Sequence, residues 1–598
     1  MTSYTALIDS LRPVTSVVSL PVDDSLRNFP RRVVGAVFAN VPVQSLLKPS
    51  RDVAVSVPAL SQLLPGFKHS PEIPESFTQI FSGSKLPPKV PFLASHCYWG
   101  TQFGNYAGQL GDGTASLVGQ SSTGYEINLK GTGQTPFSRG FDGRKVLRSS
   151  VREFLCSEAM AGLGIPTTRA AALVVSETSQ VMRDVNYSGS PVMEKCAVVS
   201  RTAKSFFRFG SFESRDLADS PTVRKLAGYC WNELLKPNGS QDFITTVIDR
   251  TAQTVAMWQS VGFVHGVLNT DNMSILGDTI DYGPFGFVEN FDPHFIPNTS
   301  DKFGRYAFSE QPKIAAWNLK KLYESLKLHI VGDSDAILSN EQRQDIYEKF
   351  GFRTIVSEDE IETQFMSKFT KYYRENMRKK LGLKGDVTEE EFQLLLGNLR
   401  SLFEDTAVDY TYTFRMLSEL GSPRPTHDIV NEIMSTVPST DRIGAFSSSV
   451  VRISKGDLPE IEEFAKTRMD ELNRVGIDSS TIERWKFHLN RIENFGLCDN
   501  YQGMVNEFRK RWTQFVSEWE KLTNEESRKV MKRINPVYVP RQNLLQKAIE
   551  ECENGNDEEV RLLLELLLNP YDVNPKVEHD KYAKPDLNFY GSRLSCSS

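Results

Sequence analysis

The residues most suited to chemistry lie between positions 265 and 286. Asp271 and Asn272 are adjacent, and Asp281 follows ten residues after Asp271. Apolar residues on either side of a Gly-Asp pair predict two short strands joined by a turn. Such a hairpin brings its ends together, so Asn272 and Asp281 could offer oxygen ligands to one Mg²⁺, with Mn²⁺ as the alternative ion. Asp271 would then be free to act as a base.

The same stretch has the spacing of a protein-kinase site, in which H-R-D-x-x-x-x-N is followed by D-F-G. His265 and Asn272 match that spacing, and Asp281-Tyr282-Gly283 takes the place of D-F-G. Val267, however, occupies the position of the catalytic aspartate and cannot accept a proton. Either the site is inactive or Asp271 has taken over the role. An isolated D-Y-G is more often a solvated turn, so the interpretation depends on the whole constellation.

A glycine-rich segment is predicted to position a nucleotide. Residues 103–113 contain four glycines, two of which flank Asp112, and the strand pattern at 125–130 ends in Lys130. Glycine lets backbone N–H groups approach phosphates. Asp112 at the tip would repel a triphosphate, so a plain β-hairpin turn remains the alternative.

Lys130 needs a carboxylate partner to hold its ammonium group in place. Residues 149–162 predict a helix with a serine cap, and Glu153 lies near its start. A lysine on a strand paired with a glutamate on a helix is the arrangement that holds ATP in kinases. The alternative is that Glu153 is an ordinary surface charge.

Basic residues follow the glycine-rich segment and form a candidate phosphate site. Two further arginines, Arg201 and Arg208, are seven residues apart, and on a helix they would share a face and reach one polyphosphate. The alternative is a pair of solvated arginines. The basic residues between positions 131 and 152 are Arg139, Arg144, Lys145, Arg148 and Arg152.

Composition limits the protein class. A chain of 598 residues with 39% hydrophobic and 24% charged residues predicts a globular protein with more than one packed unit. The net charge of -6 gives no electrostatic reason to expect nucleic acid as a partner. There is no apolar run of about 18 residues, so we expect no transmembrane segment. The seven cysteines lack C-x-x-C spacing, which argues against a zinc site and a disulfide framework.

Four segments are predicted along the chain. Residues 1–90 form a proline-rich N-terminal extension that wraps the first lobe, and 91–200 a glycine-rich β lobe. Residues 201–430 form a helical lobe with the metal and catalytic segment, and 431–598 a helical region with a cysteine-bearing tail. Helical periodicity is predicted at 339–350, 358–382, 389–417, 457–475, 500–534 and 540–568.

Motifs in series carry a resemblance to a known family. The chain resembles the selenoprotein O family of pseudokinase-fold protein adenylyltransferases from about residue 90 to the C-terminus. The motifs are GQLGDG at 108–113, LKGTGQTPFSRGFDGRKVLRSSVREFL at 129–155, FFRFGSFE at 206–213 and HGVLNTDNMSILGDTIDYGPFGF at 265–287. The resemblance implies an α+β, protein-kinase-like two-lobe fold with an all-helical C-terminal extension.

The resemblance also implies an activity and a site. The activity is transfer of AMP from ATP to Ser, Thr or Tyr hydroxyls of proteins, with self-modification as a further outcome and with ATP bound in a flipped orientation. Asp271 would be the proton acceptor, and Asn272 and Asp281 the Mg²⁺ ligands. Lys130 would pair with Glu153. The implied ATP contacts are Gly111, Gly113, Thr114, Lys130, Asp142, Gly143, Arg201, Arg208 and Asp281.

The flipped orientation accounts for Asp112, because the adenosine end would lie where a kinase holds the β- and γ-phosphates. Two positions depart from the family. Members often carry Arg where this chain has Thr114. The tail has Cys596 in place of selenocysteine, and the position of its candidate redox partner holds Pro297. A reactive terminal thiol and a tail without a role both remain open.

Eukaryotic relatives are mitochondrial, which predicts that location, with the cytoplasm as the alternative. The N-terminal 32 residues contain four arginines but also three aspartates, a weak transit-peptide signal. Two other functions stay open. One is a protein or small-molecule kinase on the same fold, and the other is a non-catalytic pseudokinase scaffold.

Overall fold

The computed structural model describes residues 3–46, 49–184, 189–236, 239–240, 242–331, 340–352, 357–421, 424–474, 477–496 and 501–595. It shows an α+β fold, as predicted, in which one large sheet packs against helices. The C-terminal region is helical.

Thirteen strands occur in this described part of the chain. Their bounds are β1 Val22–Asp23, β2 Phe38–Val41, β3 Ser50–Val55, β4 Leu93–His96, β5 Trp99–Gln102, β6 Asn105–Gln109, β7 Ala115–Gln120, β8 Glu126–Lys130, β9 Lys145–Val146, β10 Arg169–Arg183, β11 Val192–Ala203, β12 Phe263–Val264 and β13 Gly286–Phe287.

Nine of these strands form the main sheet, in the order β1-β2-β4-β7-β8-β11-β10-β3, with β9 also paired to β11. All pairs are antiparallel except β1 with β2. Strands β7 and β8 and the inner halves of β10 and β11 are buried on both faces, which explains their runs of β-branched and small residues. The pairs β5–β6 and β12–β13 form two small separate sheets.

The helices that the structure describes are as follows: α1 Ser3–Ser10, α2 Thr15–Ser19, α3 Val57–Leu63, α4 Glu75–Phe81, α5 Leu147–Gly162, α6 Ser220–Tyr229, α7 Phe243–Val261, α8 Gln311–Ile330, α9 Asn340–Phe350, α10 Glu358–Lys380, α11 Glu389–Thr406, α12 Tyr410–Ser418, α13 Thr426–Met434, α14 Thr440–Val450, α15 Leu458–Arg474, α16 Ser479–Gly496, α17 Tyr501–Lys521, α18 Glu525–Met531, α19 Gln542–Glu553, α20 Glu558–Leu568 and α21 His579–Ala583.

Helix α5 is the centre of the packing around the site. One side of it contacts strands β10 and β11, and helices α19 and α20 cover another side. Val151, Phe154 and Leu155 are fully buried in the core that joins these elements. Close approach to α20 requires glycine at the end of α5, because a Cβ on Gly162 would lie 2.2 Å from the carbonyl oxygen of Leu567. The helix therefore depends on segments far away in the sequence.

A second apolar core lies among the later helices. Phe403, Trp512 and Trp519 are buried in it, and it joins α11, α12 and α17. Between the two cores, Arg541 is completely buried and donates two hydrogen bonds to Asp409, at 2.7 and 3.1 Å. This ion pair joins the start of α19 to the start of α12.

Several local predictions were wrong. Arg201 lies on strand β11 and Arg208 just before a 3-10 turn, so the two do not share a helix face. Ser149 lies inside α5, which begins at Leu147 without a side-chain cap. The predicted hairpin after Asn272 has no regular strands and is reduced to one bridge between Met273 and Thr279.

Other segments differ in extent. The helix predicted at 389–417 is two helices, because Ala407 adopts a left-handed backbone with φ of 50°. Residues 1–90, predicted as an extension, supply three strands of the main sheet. Cys97, Cys156, Cys196, Cys230 and Cys552 are buried free thiols, and Cys498 and Cys596 lie outside the described residues. No helix in the described ranges is both long and apolar enough to cross a membrane.

Candidate active site

Lys130 and Glu153 form an ion pair between the sheet and α5. Lys130 ends strand β8, and its ammonium lies 2.9 Å from a carboxylate oxygen of Glu153. The same ammonium lies 2.9 Å from Asp281. The Glu153 side chain is fully buried, so the pair is shielded from solvent. It fixes the position of Lys130 relative to the D-Y-G segment.

Asp281 is the point at which three cations converge. Arg208 donates to its Oδ2 at 2.5 Å, and Arg201 and Lys130 both donate to its Oδ1. The two arginine side chains are each 1% exposed. Asp281 itself has a left-handed backbone, with φ of 62°, which only a locally constrained non-glycine residue adopts. Arg201 and Arg208 were predicted to approach each other on one helix face. They do come together, but from strand β11 and from the start of the 3-10 turn at Phe209–Phe212.

The protonation of Asp281 follows from these neighbours. Burial alone would raise the pKa of its carboxyl group, but Arg208, Lys130 and Arg201 together hold the pKa well below its usual range. The carboxylate is therefore ionised at neutral pH. Its charge compensates the cations that surround it.

Asp112, at the tip of the glycine-rich segment, lines a cavity that Lys130 and Asp281 also line, but its carboxylate is already paired. Its Oδ1 lies 3.2 Å from the Arg208 guanidinium, and its Oδ2 accepts a hydrogen bond from Asn128 at 3.3 Å. The residue is only 4% exposed. The repulsion that the sequence suggested is removed because Asp112 is buried as an ion-pair partner.

Asp271 lies in the 3-10 turn Thr270–Asn272 and is 7% exposed. Its Oδ2 accepts a hydrogen bond from Gln102 Nε2 at 2.9 Å, and its Oδ1 is buried with no partner among the described residues. Burial raises the pKa of its carboxyl group to about 6, an effect that Gln102 and Arg208 oppose. One carboxylate oxygen is thus held in place, and the other is left without a protein donor.

The small hairpin β5–β6 grips the turn that carries Asp271. Backbone N–H groups of Thr101 and Phe103 donate to the side chains of Thr270 and Asn269, at 2.8 and 3.2 Å. With the Gln102 bond, three successive hairpin residues contact three successive residues of the turn. Gly100 is required here, because a Cβ at this position would lie 2.8 Å from Asp271 Oδ1. The hairpin therefore fixes Asp271 by direct contact.

Sequence reasoning missed Gln102 and Glu213. Gln102 lies 169 residues from Asp271, and no local spacing relates the two. Glu213 accepts a hydrogen bond from Thr270 at 2.7 Å and is 4% exposed. Burial raises the pKa of its carboxyl group to about 7. Glu213 is the last residue of the motif FFRFGSFE at 206–213, but nothing in the motif indicated its contact with Thr270.

A cavity of about 630 Å³ opens between the sheet and the D-Y-G segment. Gly143 closes one wall with a left-handed φ of 70°, and a Cβ there would lie 2.1 Å from the Gly133 carbonyl oxygen. Asp142 in the same loop pairs with Arg183 at 2.7 Å. Four predicted site residues lie outside the cavity wall: Asp271, Asn272, Glu153 and Arg208. Glu153 and Arg208 nonetheless contact wall residues, Lys130 and Asp281. The predicted site residues that line the cavity are Gly111, Gly113, Thr114, Lys130, Asp142, Gly143, Arg201 and Asp281.

Lys145 also lines this cavity, at the start of β9. Among the described residues, its ammonium has no hydrogen bond and no ion pair within 4 Å. Burial, and next the charge of Lys130, lower the pKa of Lys145 to about 8. An ammonium group in a cavity with no carboxylate in contact is available to an anionic ligand.

Asn272 and Asp281 have the donor chemistry that Mg²⁺ requires. The Asn272 side-chain nitrogen donates to the Val267 carbonyl at 2.8 Å, which leaves the amide oxygen for a ligand. Asp281 supplies a carboxylate that stays ionised. Within the described ranges, no three His, Cys, Asp or Glu side chains are grouped to hold a metal. Two protein ligands completed by substrate phosphates and waters are nonetheless a usual arrangement for Mg²⁺.

The tail of the chain contacts the segment after the site. Leu594 forms a parallel bridge with Asn298, and its backbone N–H donates to the Pro297 carbonyl at 2.7 Å. Pro297 packs against Gly266 in the stretch that carries Asp271. Pro297 has no thiol, and Cys596, whose redox role the sequence left open, lies outside the described residues.

Comparisons with known proteins show which family this chain is similar to. A family model described as "Protein adenylyltransferase SelO" matches residues 45–568. The mitochondrial protein adenylyltransferase SelO of Homo sapiens is 38% identical over 645 residues, covering 98% of this chain and 90% of the relative. That of Mus musculus is 38% identical over 604 residues, covering 92% and 84%. The protein nucleotidyltransferase YdiU of Flavobacterium johnsoniae is 34% identical over 598 residues, covering 97% and 98%.

Proposed function

This chain belongs to the family of the protein adenylyltransferase SelO, a family of nucleotidyltransferases, and from that premise we propose that it transfers AMP from ATP to hydroxyl groups of proteins. The acceptors are Ser, Thr or Tyr side chains, the chain's own included, and pyrophosphate leaves. The observation that carries the proposal is the convergence of Lys130, Arg201 and Arg208 on Asp281 beside a cavity. Asp271 is joined to that cluster through Arg208, which donates to the Asp271 carbonyl at 2.8 Å.

We propose that the two-lobe plan of a protein kinase underlies this site. The main sheet with α5 would be the first lobe, and the helices from α6 onward the second. The Lys130–Glu153 pair between a strand and a helix supports this assignment. The boundaries stay at residues 91, 201 and 431, with strands of the N-terminal extension completing the sheet.

The proposed nucleotide orientation is reversed relative to a kinase. Arg201 and Arg208 are buried beside Asp281, and we assign the triphosphate tail to them. Asp112 at the tip of the glycine-rich segment pairs with Arg208, so its charge is compensated before a nucleotide binds. The wall residues Gly111, Gly113, Thr114, Lys130, Asp142 and Gly143 would complete the ATP contacts.

Each charged side chain has a defined role in the proposed reaction. Asp271 accepts the proton of the acceptor hydroxyl, whose oxygen forms a bond to the α-phosphorus as the bond to the pyrophosphate oxygen breaks. Arg201 and Arg208 stabilise the charge that develops on the pyrophosphate. Mg²⁺ held by Asn272 and Asp281, or Mn²⁺ in its place, would neutralise phosphate charge and polarise the phosphoryl oxygens.

Labelled ATP decides between AMP transfer and phosphoryl transfer. The full chain is incubated with Mg²⁺ and ATP labelled at either the α- or the γ-phosphate, and protein-bound label is measured. We expect covalent α-label in the wild type and a loss of about 10²-fold or more in Asp271→Asn. Asp278→Asn, in the same stretch but outside the cluster, is the matched control and should keep its label.

The outcomes separate the two alternatives. Covalent γ-label without α-label would show a kinase and refute AMP transfer. No label of either kind, with Asp271→Asn and Asp281→Asn retaining every cellular effect, would show a non-catalytic scaffold. Mass spectrometry of the labelled protein would identify the modified residue in the case of self-modification.

We also propose a mitochondrial location, because the animal relatives are named mitochondrial. The bacterial relatives leave the cytoplasm as the alternative. Fractionation of cells expressing the full chain with a C-terminal tag would decide between them.

A further inference from the structure

The charged groups at the closed end of the ATP cavity cancel one another. Lys130, Arg201 and Arg208 supply three positive charges. Glu153, Asp281 and Asp112 supply three negative charges in contact with them. The formal sum of this cluster is zero. A triphosphate therefore needs cationic groups beyond these three.

Most other cations at the cavity are already engaged. Arg183 is paired with Asp142, and the Arg144 guanidinium donates to backbone carbonyls, including that of Thr132 at 3.1 Å. Arg139 has no ion pair in the described part of the chain, but it is exposed to solvent, which screens its charge. Lys145 is half-buried in the wall and is not paired with any described carboxylate. It is the best-placed source of uncompensated positive charge.

Lys145 lies close to Thr114, an uncharged residue of the same cavity wall. The backbone N–H of Gly131 donates to the Thr114 carbonyl at 2.7 Å. A Cβ on the same glycine would lie 3.1 Å from Lys145 Cβ. Thr114 and Lys145 therefore flank Gly131 and both line the cavity. A threonine at 114 brings no charge to this wall.

We propose that Lys145 is a phosphate-binding residue of the ATP site and that it supplies, from strand β9, the positive charge that Thr114 does not. The ligand group is a terminal phosphate of the triphosphate. This inference rests on the proposed use of ATP and adds a residue to that site. Arg at 114 and Lys at 145 are then alternative ways to place one cation in the same wall.

The test measures nucleotide affinity without turnover. Isothermal titration calorimetry of the full chain uses ATP, ADP and AMP in EDTA, so the result does not depend on AMP transfer. Lys145→Met removes the charge and keeps the apolar stem. We expect it to weaken ATP binding about tenfold and to leave AMP binding unchanged. Lys225→Met, on the exposed face of α6, is the matched control and should bind ATP as the wild type does.

A rescue variant distinguishes a lost charge from a disturbed fold. Adding Thr114→Arg to Lys145→Met should restore ATP affinity to within about threefold of the wild type. Wild-type affinity in Lys145→Met would overturn the inference, and so would a double variant as weak as Lys145→Met alone. An equal loss for AMP and ATP would also overturn it, because the contact would not involve the terminal phosphates. A wild type that binds no ATP would instead refute the proposed function itself.

Discussion

Exchanging one buried aspartate for asparagine should destabilise the protein, while the same exchange three residues away should not. Asp281 is in contact with Lys130, Arg201 and Arg208, and both arginines are almost fully buried. Asp281→Asn keeps the shape but removes the charge that these cations share. Asp278 is also largely shielded, but it has no ion pair within 4 Å among the described residues.

The two magnitudes follow from the surroundings of each carboxylate. Breaking a buried ion pair by removing one partner costs about 3–5 kcal/mol, so we expect Asp281→Asn to lose roughly 3 kcal/mol of unfolding free energy. For Asp278, burial raises the pKa to about 6, an effect that Arg250 only partly opposes. Its charge therefore disfavours folding at pH 7, and Asp278→Asn should gain up to roughly 3 kcal/mol.

The dependence on pH has opposite signs at the two sites. The pKa of Asp281 is depressed on folding, so its stabilisation is present at neutral pH and is lost only as pH falls through the folded-state pKa. The pKa of Asp278 is raised, so its penalty is present above about pH 6 and disappears once the unfolded state is also protonated. Asp278→Asn should therefore resemble the wild type below about pH 4.

Thermal unfolding by differential scanning fluorimetry at pH 7, supported by urea titration, measures both effects. We expect the midpoint of Asp281→Asn to fall by several degrees and that of Asp278→Asn to stay or rise. ATP titrated without Mg²⁺ should raise the midpoint of Asp281→Asn more than that of the wild type, because a bound anion would replace the missing charge. Equal midpoints for the two asparagine variants would refute the ion-pair account.

Three further predictions concern other buried groups. Gln102→Met should lower kcat about tenfold with unchanged ATP affinity, because it removes the donor that holds Asp271. Gln109 lies in the same hairpin but donates to the Val33 carbonyl. Gln109→Met should therefore leave both kcat and ATP affinity unchanged in the same kinetic assay. Glu126→Gln should stabilise the fold at pH 8 by about 3 kcal/mol and have no effect near pH 4, because burial raises the Glu126 pKa to about 7. Urea unfolding of the variant and the wild type at both pH values tests this. An equal gain in unfolding free energy at pH 4 and pH 8 would contradict it. Arg541→Met should cost about 3–5 kcal/mol, because it leaves Asp409 buried without its partner. The exposed Lys529→Met should cost far less. Thermal melts of both variants would contradict this prediction if the two losses were equal.

The family was predictable because its motifs are contiguous. GQLGDG and the stretch from His265 to Gly286 specify short turns whose geometry depends on neighbours in sequence. The α+β class followed from glycine-rich strands before helical periodicity. Both expectations are confirmed by the structure and the family match.

The prediction failed where tertiary pairing overrides local pattern. Arg201 follows Val198 and Val199, whose β-branched side chains favour the strand that the structure shows, yet a seven-residue spacing suggested a helix. The serine cap at Ser149 was displaced because β9 leads directly into α5. Local propensity is a weak guide at such junctions.

Contacts between distant segments left no trace in the sequence. Gln102 meets Asp271 only because the β5–β6 hairpin folds over the turn that carries Asp271. Asp112 was expected to repel a triphosphate, and its pairing with Arg208, which no spacing indicated, requires the sheet and the 3-10 turn to be assembled. Residues of this kind are found from coordinates and not from spacing.

The covering of α5 by α19 and α20 bears on how the protein is made. Arg152 on α5 donates to Gln542 at 2.8 Å across 390 residues of sequence. While a ribosome is still translating the segments between them, the helix that carries Glu153 has one flank bare, and Lys130 lacks a firmly seated partner. We therefore expect the proposed nucleotide site to form only after translation has passed α20, so that truncated chains are released without it.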